Sequence, residues 1–342
     1  MFFNILKKLA GLLVLICLGV TAYVLTMVNR YPPVPDLPNP PEHIGAFGQG
    51  VVRAVFLGVS SFGVSDGRHT IVFDGFFSRP SKMRVAFGRL REDEPRIDDA
   101  LNLMFQKLQV KPAISAVFVT HSHFDHLLDS PYIARRYKAM LFGSSSTLNF
   151  AKGQDVPDDK LIDLRGGQVE NVGDFHIQAI PTRHAPTGFT GGVIAKPIEL
   201  PVHALEMKEG TSYTYVISYG SDRKPLACLQ STAGFIPGQS DGVTCSVVFL
   251  GVGGLGKLSE GYMDQYWSEI VEKTHARQVY LIHWDDFTQP LMANGQLLPL
   301  KPFPLLIDNM TTTASHLKAL ADRDKIQIGL LLSFNSLVLN QP

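Results

Sequence analysis

Cysteine is nearly absent, with three in 342 residues, too few for a disulfide scaffold or a cysteine-rich metal cluster. Net charge is absent as well. Thirty-one basic side chains balance 31 acidic ones, so no global field draws the chain to nucleic acid or to anionic lipid. There is no basic patch with interleaved aromatics, which disfavours nucleic-acid processing. No flavin-binding segment is visible, which disfavours redox chemistry, and no internal repeat is obvious. What is present is 45% hydrophobic and 18% charged, ample for one large catalytic domain or two small ones. Cys17 lies in an N-terminal apolar segment, whereas Cys228 and Cys245 fall in apparent strands and read as small buried hydrophobes. A disulfide between those two stays open for an oxidising compartment.

One long hydrophobic run does occur. From Leu9 to Asn29 there are twenty-one residues without a charge, preceded by Lys7 and Lys8. That length crosses a hydrocarbon core of about 30 Å as a helix. The two lysines favour a cytoplasmic N-terminus with the rest of the chain outside, and Arg30 weakens that bias without reversing it. A cleaved signal peptide competes, since Val20-Thr21-Ala22 offers small residues, and it would make the protein secreted. Hydrophobic length favours the uncleaved anchor. Tyr31 to Glu42 then holds six prolines, which predicts an extended, semi-rigid stalk lifting the globular part off the membrane. The expected organisation is therefore an anchor over 1–30, a linker over 31–50 and a catalytic domain over 51–342.

Strands and helices alternate through that domain. Strands are expected at 52–57, 70–73, 114–119, 140–142, 161–164, 175–180, 213–219, 225–230, 246–251, 278–282 and 326–333. Helices are expected at 95–108, 131–138, 145–151, 260–274 and 312–322. This mixture predicts an α/β fold, a layered αββα sandwich or similar. Two Pro/Gly-rich loops, 185–210 and 288–308, are long enough to wall an active site.

The chemistry is concentrated in Thr120-His-Ser-His-Phe-Asp-His126, straight after the apolar run 114–119. His121, His123, Asp125 and His126 aim nitrogen and oxygen donors into one small volume at a strand end, a mixture that borderline metals such as Zn²⁺ favour. Further along, Asp74-Gly75 closes an early strand, His184 follows the strand Ile177-Gln-Ala-Ile180, and His283 ends the strand Val279-Tyr-Leu-Ile282.

His-x-His-x-Asp-His with these companions resembles the metallo-β-lactamase fold superfamily over roughly residues 51 to 335. The resemblance implies that His121, His123 and His184 hold one divalent ion, and Asp125, His126 and His283 a second. Each set leaves open positions, as catalytic sites do. Two such ions activate water and stabilise the attacking and leaving oxygens. Asp74 would orient a ligand imidazole, or simply form a turn. The family usually places a bridging aspartate between the third and fourth motifs. Here Leu226-Ala-Cys-Leu-Gln-Ser-Thr-Ala-Gly-Phe235 puts Ser231 at that position, and a neutral hydroxyl weakens the second metal site. Asp241, Asp285 and Asp286 are the substitutes to consider.

The context Ile282-His-Trp-Asp-Asp-Phe287 resembles the branch containing N-acyl-phosphatidylethanolamine phospholipase D and related lactonases, with Asp285 and Asp286 replacing its Gly-Thr. Together with the apolar N-terminal segment, this implies a membrane-anchored hydrolase acting on an ester, phosphodiester or lactone, with a small molecule or a lipid or envelope component as substrate. Asp125 and His283 would be central to catalysis. Asp285 would serve as a proton shuttle or as a strand-end hydrogen-bond partner. An amide hydrolase acting on β-lactams and a metal-containing binding protein that has lost turnover are the alternatives. Arg183 is a candidate anion contact and His203 a candidate substrate contact. His43, His69, His176, His275 and His316 read as surface or packing residues.

Overall fold

The computed structural model of the protein describes residues 2–40, 50–186 and 190–340. Two seven-stranded sheets carry the domain. The first contains β1 (Arg53–Phe56), β2 (Phe62–Ser65), β3 (Thr70–Phe73), β4 (Ala116–Phe118), β5 (Met140–Gly143) and β6 (Leu161–Asp163), with β16 (Ser336–Val338) added beside β1. The second runs in the order β15 (Gln327–Leu330), β12 (Gln278–Ile282), β11 (Val247–Gly251), β10 (Lys224–Gln230), β9 (Ser212–Tyr219), β8 (Phe175–Thr182), β7 (Val169–Val172). A small hairpin, β13 (Met292–Ala293) and β14 (Gln296–Leu297), stands apart. The helices are α1 (Phe2–Asn29), α2 (Lys82–Phe87), α3 (Glu94–Leu108), α4 (Phe124–Leu127), α5 (Ser130–Tyr137), α6 (Ser145–Lys152), α7 (Glu260–Trp267) and α8 (Met310–Asp324). The expected layered α/β sandwich is what forms.

Strand burial explains the layering. All four residues of β1, β2 and β3 are buried, as a strand covered on both faces requires. Aromatic side chains join the sheets: Phe62 of β2 meets Phe249 of β11 at 4.3 Å between ring centroids, and Tyr215 of β9 packs on Phe73 and Phe118. The helix expected at 95–108 is α3, which turns Ile97, Leu101, Met104, Phe105 and Leu108 inward and is capped by the Asp93 side chain. The helix expected over 260–274 splits into α7 and a π-helical turn, Ser268–Glu272. Short elements without periodicity (β2, β7, β16 and α2) were outside the sequence expectation.

Two expectations need correction. Cys228 and Cys245 are not separate buried hydrophobes but a disulfide with Cα atoms 5.7 Å apart. Because the bridge spans 17 residues of sequence, a Cys228→Ala/Cys245→Ala variant should be about 3 kcal/mol less stable. Denaturant unfolding measures this, and an unchanged midpoint would remove the bridge from the stability account.

The proline-rich segment is not a free stalk. Pro32 and Pro40 are buried, and Leu37 packs on the core. The Pro38 carbonyl accepts from Leu330 N–H at 2.9 Å, on the edge strand β15. Residues 30–40 thus lie as a strap along the domain, while 41–49, including His43 and the rest of the expected linker, lie outside the described residues. No part of the 23-residue apolar stretch Lys7–Asn29 in α1 is buried, so it is not a core helix. By length and composition it can cross a membrane.

Candidate metal centre

Asp74 follows β3, the 120–126 loop follows β4, Ser231 follows β10 and His283 follows β12. The site therefore forms outside the carboxyl ends of the strands, the usual ligand position of open α/β sheets. Both sheets pin the ligand loop. Thr120 N–H donates to Asp74 Oδ1 at 2.8 Å. The Thr120 carbonyl accepts from Tyr213 N–H at 2.9 Å, and Tyr215 Oη donates to the Val119 carbonyl at 2.6 Å.

Two triplets of donor atoms result, His121–His123–His184 and Asp125–His126–His283, the donor atoms of each lying within 4.8 Å of one another. The second is tight. His126 Nε2 and His283 Nε2 are 3.2 Å apart, and Asp125 Oδ2 stands 3.5 Å and 3.3 Å from them. A tetrahedral ion with bonds of about 2.0–2.1 Å holds its ligand atoms about 3.3–3.4 Å apart, so this triangle fits a divalent metal. In the first triplet His121 Nε2 and His123 Nδ1 are 3.1 Å apart.

The outer partners decide which nitrogen is free to bind. Asp74 Oδ2 accepts from His126 Nδ1–H at 2.8 Å, with Ser60 Oγ also bonded to that oxygen at 2.5 Å, which leaves His126 Nε2 bare toward the site. His184 Nδ1–H donates to the Ala185 carbonyl at 2.8 Å, freeing Nε2. His123 Nε2–H donates to the Thr190 carbonyl at 3.2 Å, freeing Nδ1. In these three rings the metal-facing nitrogen is thus set by the bond the ring makes behind it. Asp74, expected either to orient a ligand imidazole or to form a turn, bonds His126, and Ser60 and Thr120, invisible as site residues in the sequence, complete its surroundings.

Charge follows the same design. Burial, with help from the neighbouring imidazoles, pushes His121 well below the ordinary histidine range, lowers His123 and brings His184 down to about 3. These rings are neutral at pH 7, the form a metal needs. Against its burial, Asp125 is held well below the carboxylate range by His126 and His283. His126 is raised by Asp125 and Asp74, which outweigh burial.

Of the two readings of Asp285, the geometry matches the strand-end hydrogen-bond partner rather than the proton shuttle. Asp285 is fully buried, paired with Arg79 at 2.7 Å, and accepts from Val59 N–H at 2.8 Å. Asp286 accepts from Tyr31 Oη at 2.9 Å, and Asp241 pairs with Lys273 on the surface, so neither supplies a bridging carboxylate. Ser231 is fully buried at the end of β10, and its hydroxyl has no hydrogen-bond partner among the described residues. The same holds for Nδ1 of His283. His203 bonds the Gly88 carbonyl at 2.9 Å. Neither it nor Arg183 is among the residues lining the site cavity.

That cavity has a volume of about 550 Å³ and opens over His123, Asp125, His184 and His283. Its walls are largely apolar, with Val85, Ala86, Leu205, Phe287, Phe303 and Ile307 among them. Both long loops contribute, as expected. Gly188 and Phe189 of the first loop lie outside the described residues.

The metallo-beta-lactamase superfamily matches residues 54–196 of the chain. Curated relatives include proteins named metal-dependent hydrolase from Chloroflexus aurantiacus, 28% identical over 26% of this chain and 36% of the relative, and from Methylacidiphilum infernorum, 25% identical over 40% and 52%. The chain thus spans about half or less of the length of these relatives. Among solved structures, Igni18, a metallo hydrolase of Ignicoccus hospitalis, aligns with a TM-score of 0.54 at 14% identity over 85% of this chain and 100% of that one. A possible metal-dependent hydrolase from Veillonella parvula gives 0.52 at 13% over 84% and 100%. A mutant of the CmlA β-hydroxylase also gives 0.52, at 12% over 86% and 55%. One fold therefore hosts different reactions, and the reaction has to be argued from the site.

Proposed function

We propose that this chain, which has the metallo-β-lactamase fold and matches that superfamily over residues 54–196, belongs to it and is a membrane-anchored metal-dependent hydrolase acting on an ester, phosphodiester or lactone. The carrying observation is the pair of three-ligand clusters opening on one cavity. A divalent ion bound there, zinc by its donor set, would supply Lewis acidity for activating water and polarising the bond to be cut. The chain's own residues do the rest. His121, His123 and His184 would hold one ion and Asp125, His126 and His283 another. Asp74, Ser60 and the carbonyls of Ala185 and Thr190 keep the imidazoles turned inward. The apolar walls exclude water and favour a substrate with a hydrophobic body, lipid or envelope-derived.

The stretch Lys7–Asn29 of α1, no part of it buried, is read as the anchor. Lys7 and Lys8 favour a domain outside the cytoplasm, and the Cys228–Cys245 disulfide suits an oxidising compartment.

The test is a panel of chromogenic esters, phosphodiesters, lactones and β-lactams on the full chain, with and without chelator, alongside elemental analysis. Chelator-sensitive turnover of an oxygen ester class supports the reading. Turnover of β-lactams alone would replace it with an amide hydrolase, and metal without turnover would leave a binding protein. Ser231→Asp in the same titration should tighten the weaker metal affinity about 10-fold or more; no change would mean that Ser231 does not face the second ion.

A further inference from the structure

The last turn of α1 is fastened to the domain at the rim of the cavity. Lys82 Nζ of α2 donates to the Val28 carbonyl at 2.9 Å, and Leu305 N–H donates to the Arg30 carbonyl at 2.8 Å. Tyr31, the next residue, bonds Asp286 and lies under the Lys82 and Lys301 ammonium groups, 4.6 Å and 5.8 Å from its ring centre. The segments so fastened, α2 and the 301–307 stretch, are also cavity walls through Val85, Ala86, Phe303 and Ile307.

As a helix of a soluble domain, α2 is anomalous, because it buries none of its residues. Met83 and Phe87, one turn apart and so on one face, are 69% and 78% exposed. Leu205 and Ile307 add further exposed apolar surface at the same mouth. Arg84, Arg89 and Lys257 are exposed around them, and α2 contains no acidic residue. A short helix with exposed large apolar groups and flanking cations matches a bilayer interface with anionic headgroups. Depth agrees. The 23-residue apolar stretch rises about 35 Å as a helix against a hydrocarbon core of about 30 Å. Its end, where Lys82 holds Val28, therefore lies at the interface.

We infer that the mouth of the cavity is seated in the membrane interface from which α1 emerges, and that an acyl-bearing amphiphile enters the site directly from that bilayer. This rests on the anchored-hydrolase reading, and the experiment separates the two. Full-length Cys17→Ser protein carrying a single added cysteine, Phe87→Cys or Asp222→Cys, is labelled with an environment-sensitive fluorophore. The labelled protein is placed in phosphatidylcholine–phosphatidylglycerol vesicles containing doxyl-phosphatidylcholine. Asp222 lies in the exposed turn at the far end of β10 from Ser231.

The expected result is strong quenching of the Phe87→Cys label by the doxyl lipid and of the Asp222→Cys label by aqueous iodide only. Iodide-only quenching at both positions would overturn the proposal, even if soluble esters are hydrolysed. Lipid quenching at position 87 without turnover of any ester would support the seating while the hydrolase reading falls. Met83→Asp/Phe87→Asp should slow hydrolysis of a vesicle-borne long-chain ester about tenfold and leave a soluble short-chain ester unaffected. Equal loss on both, at normal metal content, would also count against the seat.

Discussion

His126→Ala is expected to abolish metal retention in the Asp125–His126–His283 triplet and to lower hydrolysis by more than about 100-fold, beyond the 10–100-fold typical of an outer-sphere loss. The triangle of 3.2, 3.3 and 3.5 Å loses one corner, and two protein ligands rarely hold a catalytic ion. Asp74→Asn provides the graded comparison. Asp74 Oδ2 alone accepts from Ser60, Thr120 and His126, and an amide offers one acceptor oxygen where the carboxylate offers two. Its backbone φ of +55° is one that asparagine tolerates, so a defect would report the lost acceptor rather than strain. A fall of about 10–100-fold in metal affinity is expected for this variant, read by chelator competition. Unchanged affinity in both variants would remove the triplet from the metal site.

The candidate ligands were legible in the sequence because four of them crowd into six residues after one apolar strand, and because His184 and His283 also follow strands. A strand end has a direction, so a polar residue there can be assigned to one edge of the sheet. The residues that hold the ligands in place offered no such signal. Ser60, Thr120 and Tyr215 act through contacts made only once the two sheets meet. The proton-shuttle reading of Asp285 finds no support for a related reason, while its other reading, a strand-end hydrogen-bond partner, matches the geometry. Two residues past His283 the chain has turned, and that carboxylate points at Arg79 rather than into the cavity. For the proline-rich segment, composition carries no information about what the chain lies against. Here it follows the edge of β15 through the Pro38 carbonyl. α2, at six residues, is too short to show a period. Its exposed Met83 and Phe87 acquire meaning only from the neighbouring end of α1.

Arg79→Met should destabilise the domain by about 3–5 kcal/mol, because it leaves the Asp285 carboxylate buried without its countercharge. Both partners of this pair are fully buried. Gly58, with φ +92°, makes room for the guanidinium, since a Cβ there would collide with Nη2. The pair matters beyond its own charge. Asp285 Oδ1 holds the Val59 N–H, and Val59 has φ +55°, a conformation that a β-branched residue adopts only under constraint. The Val59 carbonyl in turn accepts from His283 N–H at 2.6 Å, and His283 itself has φ +54°. Loss of Arg79 is therefore expected to weaken metal binding at the Asp125–His126–His283 triplet although no ligand is altered. Arg79→Met/Asp285→Leu separates the two effects. Removing both charges should recover much of the stability, while the Val59 N–H stays without its acceptor, at a residual cost of about 1–3 kcal/mol. Denaturant unfolding and metal competition on the same three proteins read both quantities. Full recovery of metal affinity in the double variant would show that Asp285 serves the ion pair alone and that the route through Val59 to His283 carries nothing.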